Sequence, residues 1–179
     1  MKLSTTVWAT GLILLALDPA LHADEAKKPA TKADASKPAT PKATGPKAEM
    51  VSPDEIQWGD APPDVPKGAK LGVLHGNPMK PGMYTIRLKL PEGYVIPPHW
   101  HSKDEQLTIL SGSFILHMGD TMESEPHTLD AGAYHFLPAK MHHAAEAKGE
   151  TIVQITGTGP FDIHYLNPAD NPNPKTAKK

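Results

Sequence analysis

The stretch that decides the fold is GYVIPPHWHSKDEQLTILSG, which spans residues 93–112. In an extended strand, residues two positions apart face the same side. His99 and His101 therefore point one way and Trp100 points the other way. We expect the two imidazoles to face the interior. We expect the indole to face outward and to pack under a strand from a partner or from the N-terminal segment.

A carboxylate follows the two histidines at Glu105. Four residues of straight strand would carry it about 13 Å away from His101. Residues 102–104 must therefore turn the chain, so that Glu105 opens the neighbouring strand and returns to the imidazoles. Gly112 then suits a tight turn before the next strand.

A further ligand must come from elsewhere, and the segment that runs from Gly132 through Pro138 to His142 and His143 supplies one. This segment lies far enough along the chain to come from the opposite wall of the domain. His142 and His143 have opposite parity on a strand, so one of them faces the site.

The donor atoms decide which metals are possible. Three imidazoles and one carboxylate suit one divalent ion of Fe, Mn, Ni, Cu or Zn, with one or two positions open to water or substrate. The chain has no cysteine, which excludes disulfides, thiolate zinc sites and iron–sulfur clusters. The net charge of -2 gives no electrostatic support for binding nucleic acid.

The alternation of apolar residues predicts an all-β domain. Apolar residues occupy every second position from Tyr84 to Leu90, which is the period of a strand. Short runs of this kind, divided by Gly, Pro and Asp, predict a sandwich or a barrel. The predicted strands are Leu71–His75, Met83–Leu90, Tyr94–Pro98, Glu105–Leu110, Ser113–Met118, His127–Leu129, Ala133–Leu137, His142–Ala147, Thr151–Thr156 and Phe161–Leu166.

The ends of the chain differ in composition from the middle. Residues 1–23 are typical of a signal peptide cleaved after Ala20 or Ala23, so the mature protein is expected to be periplasmic or secreted, without a stable membrane span. Residues 24–50, rich in Ala, Lys and Pro, predict a disordered linker. The folded domain is expected over residues 51–168, followed by a disordered tail over 169–179.

These spacings resemble the two motifs of the cupin superfamily. The first motif is matched by Gly93, His99, His101, Glu105 and Gly112, and the second by Gly132, Pro138 and His143, with Lys140 and Ala147 in place of its glycine and asparagine. The resemblance, which covers about residues 71–166, selects His143 over His142. It implies a double-stranded β-helix, or jelly roll, with the metal inside. The end of the chain is similar to exported single-domain bacterial cupins, and cupins are often homodimers.

Some other residues carry open interpretations. His117 and His135 lie on strands. They either face the cavity, where they hydrogen-bond to metal ligands or shuttle protons, or lie at the surface or as polar residues in the core, and the second placement is the expected one. Tyr134 and Phe136 are expected to pack in the barrel wall.

Three classes of function are open, and the resemblance implies the first of them. One is a metal-dependent dioxygenase, or another oxidoreductase, that acts on a small organic molecule, with Glu105 as metal ligand and general base. The second is a non-catalytic periplasmic protein that binds metal or a small ligand. A purely structural metal site is a third reading. An enzyme predicts an open coordination position and a lined cavity, whereas a structural site predicts closed coordination and no cavity.

Overall fold

The structure, a computed structural model of the chain, describes residues 47–173 and 175. The predicted signal peptide, residues 1–23, and residues 24–46 of the predicted linker lie outside the described residues. The described part contains two 3-10 turns, at Pro53–Glu55 and Pro168–Asp170. Its strands are β1 (Trp58–Asp60), β2 (Lys70–His75), β3 (Gly82–Leu90), β4 (Val95–Trp100), β5 (Glu105–Met118), β6 (Pro126–Asp130), β7 (Tyr134–Leu137), β8 (His143–Gly159) and β9 (His164–Tyr165).

The long strand β8 organises the domain, and every strand pairing is antiparallel. The second half of β8 lies between β3 and β5, whereas its first half lies between β4 and β5. Strand β3 also pairs with β2, and β2 pairs with β1. Strand β5 also pairs with β6 and β7. The predicted all-β barrel is therefore confirmed.

The core lies between the strands, as the alternation along β3 predicts. Tyr84, Ile86, Leu88 and Leu90 are buried, and the residues between them are half-buried on the outer face. Burying one such aliphatic side chain contributes about 1.5–3 kcal/mol to folding. The buried polar groups described below lie beside these apolar side chains.

Two predicted turns within strands are wrong. Residues 105–118 form the single strand β5, and its register against β8 shifts around Gly112, whose φ is +76°. A glycine in the left-handed region bends a strand as a β-bulge without ending it. Gly149, with the same φ, lies within β8, so the predicted strands 142–147 and 151–156 are also one strand.

The outward face of β7 also differs from the prediction. Tyr134 and Phe136, expected in the barrel wall, are 54% and 49% exposed. The inward positions of this strand belong to His135 and Leu137, which are buried. Side chains alternate along a strand, so either Tyr134 and Phe136 or His135 and Leu137 face inward. The register of β7 against β5 turns His135 and Leu137 inward.

The final segment of the domain is less regular than predicted. The strand expected over 161–166 is reduced to His164–Tyr165. The indole of Trp100 stacks on the His164 ring, with centroids 4.0 Å apart, so its partner is this segment of the same chain. Beyond the predicted boundary at 168, the Asn173 side chain donates a hydrogen bond to Asp64. No helix among the described residues is long and apolar enough to cross a membrane.

Candidate metal centre

The register of β4 against β8 brings two of the predicted ligands together. His99 is directly opposite His143 in this antiparallel pair, and both side chains are buried. Opposite residues in a strand pair project to the same face with their Cβ atoms about 5 Å apart. The expectation that His143 comes from the opposite wall is therefore wrong, because it lies on the adjacent strand. His101, just past the end of β4, is buried on the same side, as its parity predicts.

Backbone carbonyls fix the tautomer of all three histidines. The Nδ1 of His99 lies 2.7 Å from the Pro97 oxygen, and the Nδ1 of His143 lies 3.0 Å from the Met141 oxygen. The Nδ1 of His101 is equally bonded to the carbonyl of Asp162. A carbonyl oxygen only accepts, so each Nδ1 carries a proton, and in the neutral form of each ring the lone pair is on Nε2.

The three lone pairs converge on one point. One ligand atom from each of His99, His101 and His143 lies within 4.8 Å of the other two. The Nε2 of His101 is buried and has no hydrogen-bond partner among the described residues. Leaving a buried polar atom unpaired costs about 1–3 kcal/mol, and a divalent cation would remove this cost. The donors present therefore fit a metal ion.

Glu105 lies at the edge of this cluster. Its Oε1 is 3.6 Å from the Nε2 of His101, and its Oε2 is 3.6 Å from the Nε2 of His143. The set in which all ligand atoms lie within 4.8 Å of one another does not include it. Glu105 opens β5, as predicted, but that strand pairs with β7 and β8 and not with β4, because β8 lies between them.

The electrostatics of the cluster favour neutral His99 and His143 beside an ionised Glu105. Burial, together with the neighbouring histidines, holds the pKa of His99 well below its ordinary value. Burial likewise lowers the pKa of His143, although Glu105 opposes the shift. Burial alone would raise the pKa of Glu105, but His101 and the hydrogen bond from His135 outweigh it and hold that pKa below its ordinary range. Metal binding requires these same protonation states.

His135 is the site residue that sequence reasoning undervalued. It is buried, and its Nε2 lies 3.1 Å from the Oε2 of Glu105. It is opposite Leu107 in the β5–β7 pair, so it is diagonal to Glu105 on the same face. Of the interpretations given for His135, the one that applies is a hydrogen-bond partner of a candidate metal ligand. The sequence held one signal for this placement, because His135 is two residues from Leu137 and therefore shares the face of that apolar residue in a strand.

Two other histidines lie away from the cluster. His142 is half-buried, and its Nδ1 lies 2.7 Å from a carboxylate oxygen of Asp120. His117 is buried, with Nε2 3.0 Å from Glu146 and Nδ1 3.1 Å from the carbonyl of Ser124. His117 is therefore a core-polar residue.

A small cavity, here called the chamber, adjoins the cluster. Its volume is about 30 Å³, and its wall includes His99, His101, Glu105 and His143. Every other lining side chain among the described residues is a hydrocarbon, and no Lys or Arg lines it. About 10–15 Å³ of such space holds one water molecule. The chamber therefore admits a ligand of two or three atoms.

The outer wall of the chamber includes Phe161 and Ile163, on the segment that also fixes His101. The carboxylate of Asp162 accepts hydrogen bonds from the backbone N–H and the hydroxyl of Ser102. A second, polar cavity of about 10 Å³ lies on the other side of His101 and Glu105. A larger ligand would have to displace part of this segment.

Several solved structures share the architecture. RemF of Streptomyces resistomycificus, a polyketide cyclase, is 14% identical, with a TM-score of 0.57 over 67% of this chain and 86% of its own. A candidate acetylacetone dioxygenase of Methylibium petroleiphilum PM1 is 20% identical, with a TM-score of 0.55 over 73% and 88%. An RmlC-like cupin of Shewanella frigidimarina NCIMB 400 is 19% identical, with a TM-score of 0.48 over 62% and 91%. Likeness at such identities concerns the fold.

The sequence itself identifies the family. None of the curated proteins matches the chain. The family model described as the ChrR cupin-like domain matches residues 46–162, which span most of the described barrel and all the cluster residues. Together with the all-β antiparallel barrel, this match confirms the predicted relationship. The chain belongs to the ChrR cupin-like family of the cupin superfamily.

Proposed function

We propose that this protein is a metal-dependent oxidoreductase of the dioxygenase kind, which acts on a small organic molecule. The observation that carries the proposal is the chamber, because a hydrocarbon-lined space next to three imidazole lone pairs suits a small apolar gas. A structural metal site is closed by its ligands, whereas a catalytic site keeps a position open beside a cavity. When bound, the metal would supply Lewis-acid and redox chemistry.

The residues of the chain have separate tasks in this proposal. His99, His101 and His143 would hold one Fe, Mn, Ni or Cu ion through Nε2, whereas Zn supplies no redox chemistry. Glu105, ionised and 3.6 Å from two of these nitrogens, is the fourth ligand and the general base for a substrate proton.

The wall of the chamber restricts the organic substrate. No cation lines the chamber among the described residues, so a carboxylate or phosphate group would lose its hydration without a partner. The substrate is therefore an uncharged molecule, or it keeps its charged end outside, towards Lys103 at the polar cavity. The shared fold of the candidate acetylacetone dioxygenase agrees with this chemistry but, at 20% identity, does not identify the reaction.

The experiment is oxygen uptake by the metal-loaded protein. The purified chain is loaded with one equivalent of Fe, Mn, Ni or Cu, with Zn as the redox-inactive control, and mixed with a panel of small neutral diketones, phenols and thiols. The proposal expects oxygen uptake that requires both metal and one panel member, is lost in His143→Ala and is kept in His142→Ala. Nitric oxide added to the Fe(II) form tests the open position independently, through its electron paramagnetic resonance signal.

A second candidate function is a non-catalytic protein that binds metal or a small ligand outside the cytoplasm. The specific observation in its favour is the size of the chamber, which at about 30 Å³ excludes an organic molecule unless the wall moves. Tight binding of metal, with no nitric oxide signal and no oxygen uptake, would replace the first proposal by this one.

A further inference from the structure

The buried pair of His135 and Glu105 has a geometry that bears on how the carboxylate meets the metal. The Nε2 of His135 lies 3.1 Å from the Oε2 of Glu105. The other oxygen, Oε1, has no such partner and lies 3.6 Å from the Nε2 of His101. The two carboxylate oxygens are therefore not equivalent.

The burial of the His135 side chain costs free energy. Its side chain is 8% exposed, and its Nδ1 has no hydrogen-bond partner among the described residues. An unpaired buried nitrogen costs about 1–3 kcal/mol. Leu137 lies two positions along the same face of the strand and is buried, so an apolar residue packs well on this face. Packing alone does not account for an imidazole at this position.

The proton on His135 is assigned by the same logic as in the cluster. A carboxylate that binds a metal is ionised, and an ionised carboxylate only accepts hydrogen bonds. At 3.1 Å, the Nε2–H of His135 therefore donates a hydrogen bond to Oε2 of Glu105. Such charge-assisted bonds are about twice as strong as neutral ones, so they fix the carboxylate plane.

We propose that His135 is a positioning residue that engages Oε2 of Glu105 and leaves Oε1 alone to the metal. Glu105 would then bind the ion through Oε1 alone. Without this donor, the carboxylate would be free to rotate and to bind the ion through both oxygens, which would leave less room for a further ligand. The inference rests on metal binding by the three histidines, as proposed above, and not on oxygen chemistry.

The test uses Co(II) as the probe, because its visible spectrum reports coordination number and its affinity is measurable by competition with a chromophoric chelator. His135→Phe keeps a ring of similar size and removes the donor. Loss of a second-shell partner lowers metal affinity by about 10–100-fold, and we expect this loss together with an altered Co(II) spectrum. His117→Phe is the matched control, since His117 is equally buried but bonds to Glu146 instead. It should leave affinity and spectrum unchanged.

A double-mutant cycle separates positioning from folding. If His135 acts through Glu105, His135→Phe should weaken Co(II) binding in the native background and cause no further loss in a Glu105→Ala background. Equal losses in both backgrounds, or no loss and no spectral change in either, would overturn the proposal.

Two amide variants keep the test decisive if His135→Phe does not fold. Gln carries an N–H that reaches Glu105, whereas Asn is too short to do so. His135→Gln should restore the native spectrum and His135→Asn should not, and identical behaviour of the two variants contradicts the positioning role. A native chain that binds no Co(II) would refute the proposed function along with this inference. A native chain that binds Co(II) but takes up no oxygen would leave the His135 result to stand by itself.

Discussion

Replacing His143 and, separately, its neighbour His142 by alanine tests which of the two adjacent histidines binds the metal. His143 is buried opposite His99 and directs its Nε2 into the cluster. His142 points to the other side of the strand, where it pairs with Asp120. The two variants remove the same atoms one residue apart, so they differ in little besides the direction of the side chain.

The expected size of the effect follows from linkage. A metal present at 100 times its dissociation constant stabilises the folded protein by about 2.7 kcal/mol. For a folded part of about 130 residues, each kcal/mol raises the melting temperature by about 3–5 °C, so the native chain should gain about 10 °C. If losing one imidazole weakens binding a hundredfold, the gain at the same metal concentration falls to about 0.4 kcal/mol, or about 2 °C.

Differential scanning fluorimetry with and without metal measures this gain within each variant, so that any loss of stability in the metal-free form cancels. His142→Ala should keep the full gain, since its ion pair is partly exposed and contributes little. A full gain in His143→Ala, or an equal loss in both variants, would refute the assignment of the ligand.

Three further predictions concern the barrel. The unfolding free energy of the metal-free protein should fall as the pH drops below about 6.5, because burial lowers the pKa of His99 and the unfolded chain takes up protons that the folded one does not. The slope is at most about 1.4 kcal/mol per pH unit for each such histidine, and a urea midpoint that does not change with pH contradicts it. Gly132→Ala should cost about 1–2 kcal/mol for its positive φ. Gly112→Ala should cost at least about 2 kcal/mol more, because its Cβ would lie 2.5 Å from a backbone oxygen; equal losses in urea unfolding would disprove the clash. Phe136→Thr should cost under about 1 kcal/mol and Ile109→Ala about 2–5 kcal/mol, and a large loss for Phe136 would place it in the core.

The direction of the ligands could be predicted from the sequence because it depends on a local rule. His99 and His101 share a face since strand side chains alternate, whatever the strand pairs with. The return of Glu105 followed from the reach of four residues. These inferences needed one strand and one turn, and the structure places all three residues as they require.

The pairing of the strands could not be predicted in the same way. Which strand lies beside β4 is decided by packing across the whole barrel, and no local pattern records it. The position of His143 next to His99, and the placement of β8 between β4 and β5, were therefore missed. The bend at Gly112 was read as a chain reversal because a left-handed glycine serves equally in a turn and in a bulge.

The wrong prediction at β7 has a different cause, because there the polar residue faces the core and the aromatic residues face outward. In Tyr134-His135-Phe136, apolar burial alone would turn the two aromatic rings inward and the imidazole outward. The strand does the opposite, and it leaves half of each aromatic ring exposed. A local violation of patterning persists where another requirement compensates for it, most often at a functional site. The group that His135 meets inside is the Glu105 carboxylate, so its contact with the candidate metal centre explains why this strand turns its histidine inward.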